Sequence, residues 1–480
     1  MKRLIKIGMI ILLAACHDYP AGNDDILSIF PDYAGVTIPV NIAPLNFSIP
    51  TSRKACATFQ YRDYAFAVSS NRKGEFIIPP SKWKKLLQSA KGDRFGVDIT
   101  DGSRQTIHSF CIHVAEEPVD PYIAYRLIEP GYALWNKMGI YQRDLSGYNE
   151  SVVFVNKMTN YNCVNCHSFC ERNPDKMLFH LRAKHAGTVF IDGDQIDVLQ
   201  TKTAQTISPL VYPSWHPSGK FVAFSVNRTS QEIHPTQRVE VFDFESDVVI
   251  YDVEAQTILT TPFIFSKDAF ETFPTFSADG RTLYFCSGAA CAVPDSIQNL
   301  RYSLCSISFD PGNKTFGNWV DTLLNAETER LSVSFPRVSP DGKYLLCTVS
   351  SYGTFPIWHK DADLYLIDLE KNEGSYPEHV NSEYAESYHS WSSNSRWVVF
   401  SSRRLDGLYT RPFIVYVNEN GETAKPFLLP QKRIATYYTE LMKSYNIPEF
   451  VSGKITNNSY RIMQKVKDSA THKQVKKIEN

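Results

Sequence analysis

The residues of this chain that are best suited to chemistry form a Cys-x-x-Cys-His run, made of Cys163, Cys166 and His167. In an exported protein this spacing is the attachment signature of a c-type haem, because the two thiols add to the vinyl groups of the porphyrin and the adjoining imidazole ligates the iron. We therefore predict a covalently bound haem c, attached at Cys163 and Cys166, with His167 as the proximal iron ligand.

A haem iron has a sixth coordination position, and several nearby side chains are candidates for it. His185 lies in a predicted turn and is the least constrained, whereas Met177 and His180 fall on a predicted strand where core packing explains them equally well. The sequence does not choose among them, and a five-coordinate iron needs none. Two further candidate ligands are Met158 and His216, and the aromatic residues nearest the motif, which we expect to wall a haem pocket, are Tyr161, Phe169, Phe179 and Trp215.

Two alternatives to haem remain open for this cluster. Cys163, Cys166, His180 and His185 come within one residue of the spacing of a zinc finger with two cysteines and two histidines, a ligand set that suits a closed tetrahedral zinc site. A disulfide between two of Cys163, Cys166 and Cys170 would instead be a structural staple that needs no cofactor.

The amino terminus predicts export. Lys2, Arg3 and Lys6 precede a short apolar run, which is the layout of a secretory signal peptide over residues 1–15. The run ends in Leu-Ala-Ala-Cys, so we expect Cys16 to carry lipid, to attach the protein to a membrane, and to begin a polar tether over residues 16–25. Ten cysteines in the chain agree with an oxidising compartment.

Composition narrows the class of protein. The net charge of −1 argues against a nucleic-acid partner, and an aromatic content of 13% argues against disorder and favours a β protein. The sequence has no Gly-x-Ser-x-Gly nucleophile motif and no phosphate-binding Gly-rich loop, so it predicts no particular enzymatic activity.

Residues 26–118 alternate short apolar strands with turn residues, which predicts an immunoglobulin-like β-sandwich. One short helix, opened by Pro80 and Ser81 and continuing from Lys82 to Ser89, is expected between the strands. Cys56 and Cys111 either bridge the two sheets or are separately buried thiols.

From residue 122 onward an internal repeat predicts the fold. Each copy is a turn with Gly or Asn followed by a strand with alternating apolar residues; clear copies begin at Ser214, Thr275, Arg337 and Ser390. A degenerate copy spans residues 173–180, and a sixth blade can be assembled from residues 123–156. We therefore predict a six-bladed β-propeller over residues 122–430, with seven blades as the alternative, and place the Cys-x-x-Cys-His run in the loop that enters the second blade. Residues 431–480 are expected to form a helix, over 432–445, and a solvated basic tail.

The Ser-Pro-Asp-Gly-Lys run that begins at Ser339 resembles the signature of the TolB-like propellers, which are built from PD40 (WD40-like) repeats. More narrowly, the chain resembles lipoproteins of Bacteroidetes-type bacteria in which such a propeller carries a Cys-x-x-Cys-His run in an early blade. The resemblance implies an all-β propeller lipoprotein of the cell envelope, anchored to the outer membrane on either its periplasmic or its surface face.

Two functions follow as expectations. The first is a haem c protein that acts in electron transfer or haem-based sensing. The second is a non-redox scaffold whose propeller loops bind a protein or glycan partner, with the Cys/His cluster serving as a zinc site or a disulfide staple.

Overall fold

The computed structural model describes residues 28–50, 54–101, 103, 105–129, 137–234, 238–434, 438, 440–476 and 478–479. The predicted signal peptide, the lipidation site Cys16 and the tether lie outside the described residues. No helix among the described residues is both long enough and apolar enough to cross a membrane.

The amino-terminal region is built on a five-stranded sheet with a small two-stranded sheet beside it. Its strands are β1 (Thr37–Ile38), β2 (Phe47–Ser48), β3 (Cys56–Tyr61), β4 (Tyr64–Ser69), β5 (Glu75–Phe76), β6 (Arg94–Thr100) and β7 (Thr106–Val114). The larger sheet has the order β1-β7-β6-β3-β4, and β2 pairs with β5. The β1–β7 pair is parallel, and the other pairs are antiparallel.

The predicted helix is present as α1 (Pro80–Ser89), and it covers one face of the larger sheet. Its Trp83 ring packs edge to face against Phe59 of β3 and Phe95 of β6, with ring centroids 6.2 and 5.7 Å apart. Proline at the first helical position explains where the helix begins, since that position needs no N–H donor. The helix therefore packs on the larger sheet through Trp83.

Cys56 does not form the proposed bridge to Cys111, because Cys56 carries a free thiol. Both residues belong to the same sheet, on β3 and β7, and β6 lies between them. Two strand spacings amount to about 10 Å, which exceeds the reach of a disulfide.

Six four- or five-stranded sheets follow and form the predicted propeller. In the first blade the strands run, from the innermost outward, β32 (Ser444–Val451), β8 (Tyr122–Ile128), β9 (Met138–Asp144) and β10 (Glu150–Val155). In the second blade they are β11 (Val164–Phe169), β12 (Lys176–Leu181), β13 (Gly187–Asp192), β14 (Gln195–Gln200) and β33 (Lys473–Gln474). In the third blade they are β15 (Val211–Trp215), β16 (Phe221–His234), β17 (Arg238–Asp252), β18 (Thr257–Leu259) and β34 (Ile478–Glu479).

In the last three blades every strand pair is antiparallel. The fourth blade comprises β19 (Ala269–Phe276), β20 (Thr282–Ala289), β21 (Ser303–Asp310), β22 (Thr315–Phe316) and β23 (Asp321–Leu324), and both β22 and β23 pair with β21. The fifth comprises β24 (Ser332–Val338), β25 (Tyr344–Ser350), β26 (Asp363–Asp368) and β27 (Glu373–Ser375). The sixth comprises β28 (Glu386–Trp391), β29 (Trp397–Ser402), β30 (Arg411–Tyr416) and β31 (Phe427–Leu428). A short helix, α2 (Ala326–Glu329), precedes β24. The innermost strands contact one another in a closed ring, β32-β11-β15-β19-β24-β28 and back to β32.

The carboxyl-terminal segment differs from the helix and solvated tail expected from the sequence. Ser444 and Tyr445, the end of the expected helix, begin β32, which pairs antiparallel with β8 and closes the ring. Ile434, Tyr438 and Glu440, within the expected helix, have helical conformations. A further helix is α3 (Ser459–Lys467), and the tail beyond it adds β33 to the second blade and β34 to the third. The propeller therefore extends beyond residue 430, and its first blade joins distant parts of the chain.

The amino-terminal region docks on the sixth blade. Asp120 accepts hydrogen bonds from the backbone N–H and the hydroxyl of Ser393 at 2.8 and 2.7 Å, and the Trp397 indole donates to the carbonyl of Glu117 at 3.2 Å. One continuous hydrophobic core runs from the five-stranded sheet into the fifth and sixth blades. The two regions are therefore packed together as one body.

Candidate cofactor site in the propeller channel

The innermost strand of every blade contains a β-bulge. At each bulge one residue other than glycine has a positive φ near 50°: Cys166 (53°), Tyr212 (50°), Phe273 (50°), Phe335 (50°), Tyr388 (50°) and Ile447 (51°). Such residues are uncommon, and a bulge redirects a side chain away from the regular alternation. All six of these side chains line a cavity at the centre of the ring.

The residue that follows each bulge is proline in four blades and histidine in two, namely His167, Pro213, Pro274, Pro336, His389 and Pro448. Proline is tolerated because a bulge leaves a backbone N–H outside the ladder. The Cys166-His167 pair therefore occupies a regular position of the repeat. Correspondingly, the Cys-x-x-Cys-His run lies on and just before the innermost strand of the second blade, at the central channel, and not in the entry loop where the sequence placed it.

The channel cavity has a volume of about 440 Å³, within the range of small-molecule and cofactor sites. Cys163, Cys166 and His167 all line it. Aromatic side chains from several blades form much of the wall: Tyr212, Phe273, Phe335, Phe355, Trp358 and Tyr388. The predicted wall residues Tyr161, Phe169, Phe179 and Trp215 do not line this cavity. The repeated aromatic-proline pairs were the sequence signal that could have identified the true wall.

Both cysteines of the motif are buried free thiols. Cys163 is 5% exposed and Cys166 is 3% exposed, and neither they nor Cys170 take part in a disulfide. Burial raises the pKa of Cys166, and the charge of Arg182 partly offsets that effect. The structure therefore presents two free thiols to the cavity and does not contain the staple considered as an alternative.

His167 is buried and has no anchoring hydrogen bond. Burial and the nearby Arg126 lower its pKa to about 3, so the imidazole is neutral, as a metal ligand must be. Its ring approaches the backbone of Ile447, yet neither ring nitrogen has a hydrogen bond of normal geometry to any described residue. A buried polar atom without a partner is costly, which makes His167 a candidate ligand.

The predicted sixth ligands do not line the cavity. Met177 and His180 lie on β12 and are buried within the second blade, where His180 Nδ1 is 3.2 Å from the hydroxyl of Thr188. His185 lies in the turn that follows β12. The methionine that does line the cavity is Met138, at the start of β9, which the sequence did not single out.

The two further candidate ligands, Met158 and His216, are also outside the cavity. His216 joins two blades, because its Nε2 donates to the carbonyl of Gly280 at 3.1 Å and its Nδ1 accepts from the backbone N–H of Ser218 at 3.1 Å. These hydrogen bonds account for the burial of His216 without a role as an iron ligand.

The zinc alternative gains no support from the arrangement of side chains. Nowhere in the described part of the chain do three or more His, Cys, Asp or Glu side chains form a group that could hold a metal ion. His180 lies on a strand, so it cannot form the helical histidine pair of a zinc finger with His185.

Positive charge predominates around the cavity. Four arginines, Arg126, Arg182, Arg337 and Arg403, line it together with two glutamates, Glu129 and Glu449. Burial raises the pKa of Glu449 to about 7, so this carboxyl is partly protonated near neutral pH. The guanidinium of Arg403 stacks 3.6 Å from the ring centroid of Trp358. An anionic ligand is therefore favoured.

The long hairpin of the third blade also reaches the channel. Its strands β16 and β17 have 14 and 15 residues, and Thr229, Ser230, Gln231 and Val241 line the cavity. Its Glu240 accepts hydrogen bonds from the Tyr352 hydroxyl at 2.9 Å and from His359 Nε2 at 3.2 Å, both in the loop after β25. The hairpin thus connects the third and fifth blades beside the cavity.

No protein-family model matches this chain, and no curated protein matches it significantly. Among solved structures, the chain is similar to TolB from Acinetobacter baumannii, with 13% identity, a TM-score of 0.43, and 78% of this chain and 85% of that chain covered. It is similar to a putative TolB from Agrobacterium tumefaciens, with 13% identity, a TM-score of 0.39, and coverage of 65% and 89%. It is also similar to the hydrazine synthase of Kuenenia stuttgartiensis, with 12% identity, a TM-score of 0.31, and coverage of 52% and 63%. The assignment of six blades rests on the strand pairing described above.

Proposed function

We propose that this protein is a lipid-anchored protein of the cell envelope that holds haem c in its propeller channel and acts in electron transfer or haem-based sensing. One observation carries the proposal: Cys163, Cys166 and His167 open onto the same cavity, and the imidazole has no other bonding partner among the described residues. The export signal and the lipid anchor rest on the sequence of residues 1–16.

The residues around the cavity fit such a group. Cys163 and Cys166 are both reduced and would form the thioether links, and neutral His167 would ligate the iron. Bulge aromatics such as Tyr212, Phe273 and Phe335 would exclude water from the porphyrin faces. When bound, a haem supplies one-electron redox chemistry or a position for a small diatomic ligand.

A non-redox binding scaffold is the second candidate, and one observation favours it. His389 occupies the same repeat position as His167 without any Cys-x-x-Cys sequence before it, so a histidine there does not require a metal. In that case the cavity, with its aromatic wall and arginines, would bind a non-covalent anionic group presented by a protein or glycan partner.

An absorption spectrum combined with an intact mass distinguishes the two candidates. The protein is produced in a host with cytochrome c maturation, beside a Cys163→Ala, Cys166→Ala variant and a Cys170→Ala control that removes a buried thiol outside the cavity. We expect a reduced α-band and one added haem mass in the wild type and in the control, and neither in the double variant. A colourless wild type at the apoprotein mass would overturn the haem proposal in favour of the scaffold.

A further inference from the structure

Two of the arginines that line the channel form no ion pair with a carboxylate of the described residues. Arg126 lies on β8 of the first blade and is 7% exposed, and Arg182 directly follows β12 of the second blade. No ion pair between described residues includes either of them. Arg126 is buried and Arg182 is half-buried. A guanidinium held away from water without an ion pair favours an anion in the adjoining cavity.

The contacts of Arg126 leave part of its guanidinium available. Its Nε has no hydrogen-bond partner among the described residues. Its Nη2 donates at 3.1 Å to the amide oxygen of Asn446, in the orientation that satisfies both ends of that amide. Asn446 is neutral, so it orients the guanidinium without neutralising it.

Arg182 is held beside the motif. Its backbone N–H donates to the carbonyl of Cys163 at 3.1 Å, which fixes the start of its side chain beside the first cysteine. Asp243 is the carboxylate that acts on the charge of Arg182, but it forms no ion pair with that guanidinium and instead accepts hydrogen bonds from Asn227 Nδ2 at 2.6 Å and from the hydroxyl of Thr229.

Both arginines line the same cavity as Cys166. They therefore approach the motif from two adjacent blades. Guanidinium groups bind carboxylates through paired, charge-assisted hydrogen bonds.

We propose that Arg126 and Arg182 form a carboxylate-binding subsite of the channel, which takes the two acidic side chains of the haem. This inference rests on the proposed function and deepens it. The subsite would orient the porphyrin before the thioether links form, because non-covalent binding must precede attachment.

The test uses apoprotein from a host without cytochrome c maturation and two probes, haemin and haemin dimethyl ester, whose carboxylates are blocked. For each carboxylate that pairs with an arginine, we expect haemin to bind about tenfold more tightly than the ester. In an Arg126→Gln, Arg182→Gln variant this preference should be lost. Arg228→Gln is the matched control, since Arg228 is exposed and paired with Glu245 at 2.7 Å on the surface.

The outcomes separate the subsite from the haem proposal. Equal affinity of the wild type for haemin and its ester would overturn the subsite and leave the haem site intact, and this comparison needs no variant to fold. A preference for haemin that survives in the double variant would also overturn the subsite. Absence of binding by either probe would count against the haem proposal and the subsite together.

Discussion

His167 and His389 occupy the same position on the innermost strands of the second and sixth blades, but only His389 is anchored. His389 Nε2 donates to the carbonyl of Leu346 on the fifth blade at 2.8 Å, whereas both nitrogens of His167 lack a partner among the described residues. Both side chains are buried, so the difference is one of bonding and not of environment. The same repeat position thus holds a structural histidine in one blade and an available ligand in another.

We expect the two alanine variants to separate these roles. In apoprotein, His389→Ala should lower the free energy of unfolding by about 1 kcal/mol more than His167→Ala, because it leaves the Leu346 carbonyl without its donor. In haem-loaded protein, only His167→Ala should change the spectrum of the iron. Urea unfolding and reduced absorption spectra measure the two effects, and the reverse pattern would assign the structural role to His167.

A buried carboxyl pair between the third and fourth blades should make stability depend on pH. Asp247 accepts from the backbone N–H of Ser266 at 3.0 Å, and the Ser266 hydroxyl donates to Glu271 at 3.4 Å. Burial raises the pKa of Asp247 to about 7, and burial with the neighbouring Asp247 raises that of Glu271 to about 8. Both carboxyls are therefore protonated in the folded state at mildly acidic pH.

Because the folded state then binds more protons than the unfolded state, the contribution of this pair to stability falls as the pH rises from about 4.5 towards 8. We expect Glu271→Gln to flatten the decline seen in the wild type over that interval, measured by urea unfolding across pH. Exposed Glu373→Gln is the control. An unchanged slope in Glu271→Gln would show that the pair does not titrate as its burial suggests.

The contact between Gly280 and His216 should be sensitive to one added methyl group. Gly280 has φ +74°, and a Cβ placed there would lie 2.1 Å from His216 Nε2, which is held by hydrogen bonds. Gly35 has φ +72° but nothing within 4 Å of such a Cβ, so it isolates the cost of the backbone conformation.

We expect Gly35→Ala to lower the free energy of unfolding by about 1–2 kcal/mol, and Gly280→Ala by a further 1–3 kcal/mol or so from overpacking. Thermal unfolding of both variants checks this. Equal losses would mean that His216 moves aside without cost.

Closure of the ring should depend on β32. A chain that ends after Lys443 would leave β8 and the inner strands β11 and β28 without their neighbour, exposing a strand edge and apolar surface. We therefore expect it to aggregate, whereas a chain that ends after Lys476 retains the closed ring and loses only β34. Size-exclusion chromatography of both truncations measures the difference, and a monomeric protein ending at Lys443 would show that closure is dispensable.

The sequence by itself predicted a β-propeller of six or seven blades, because four of the blades carry clear turn and strand signals within a short stretch of chain. The helix Pro80–Ser89 was predicted for the same reason, since the start signal Pro80-Ser81 is a local feature. The prediction of haem attachment likewise rests only on neighbouring residues, Cys163, Cys166 and His167. Local patterns of this kind can be recognised without knowing which distant residues come into contact.

The tertiary structure alone decided where those residues meet. Only ring closure brings Arg126, Cys166 and Ile447 to one cavity, and it depends on pairing β32 with β8 across more than three hundred residues. The sequence left Met177 and His180 open as ligands although their predicted strand position was equally compatible with core packing, and in the structure both are buried within the second blade. Which face of a strand borders a channel is set by its neighbours in space, and those neighbours are not adjacent in sequence.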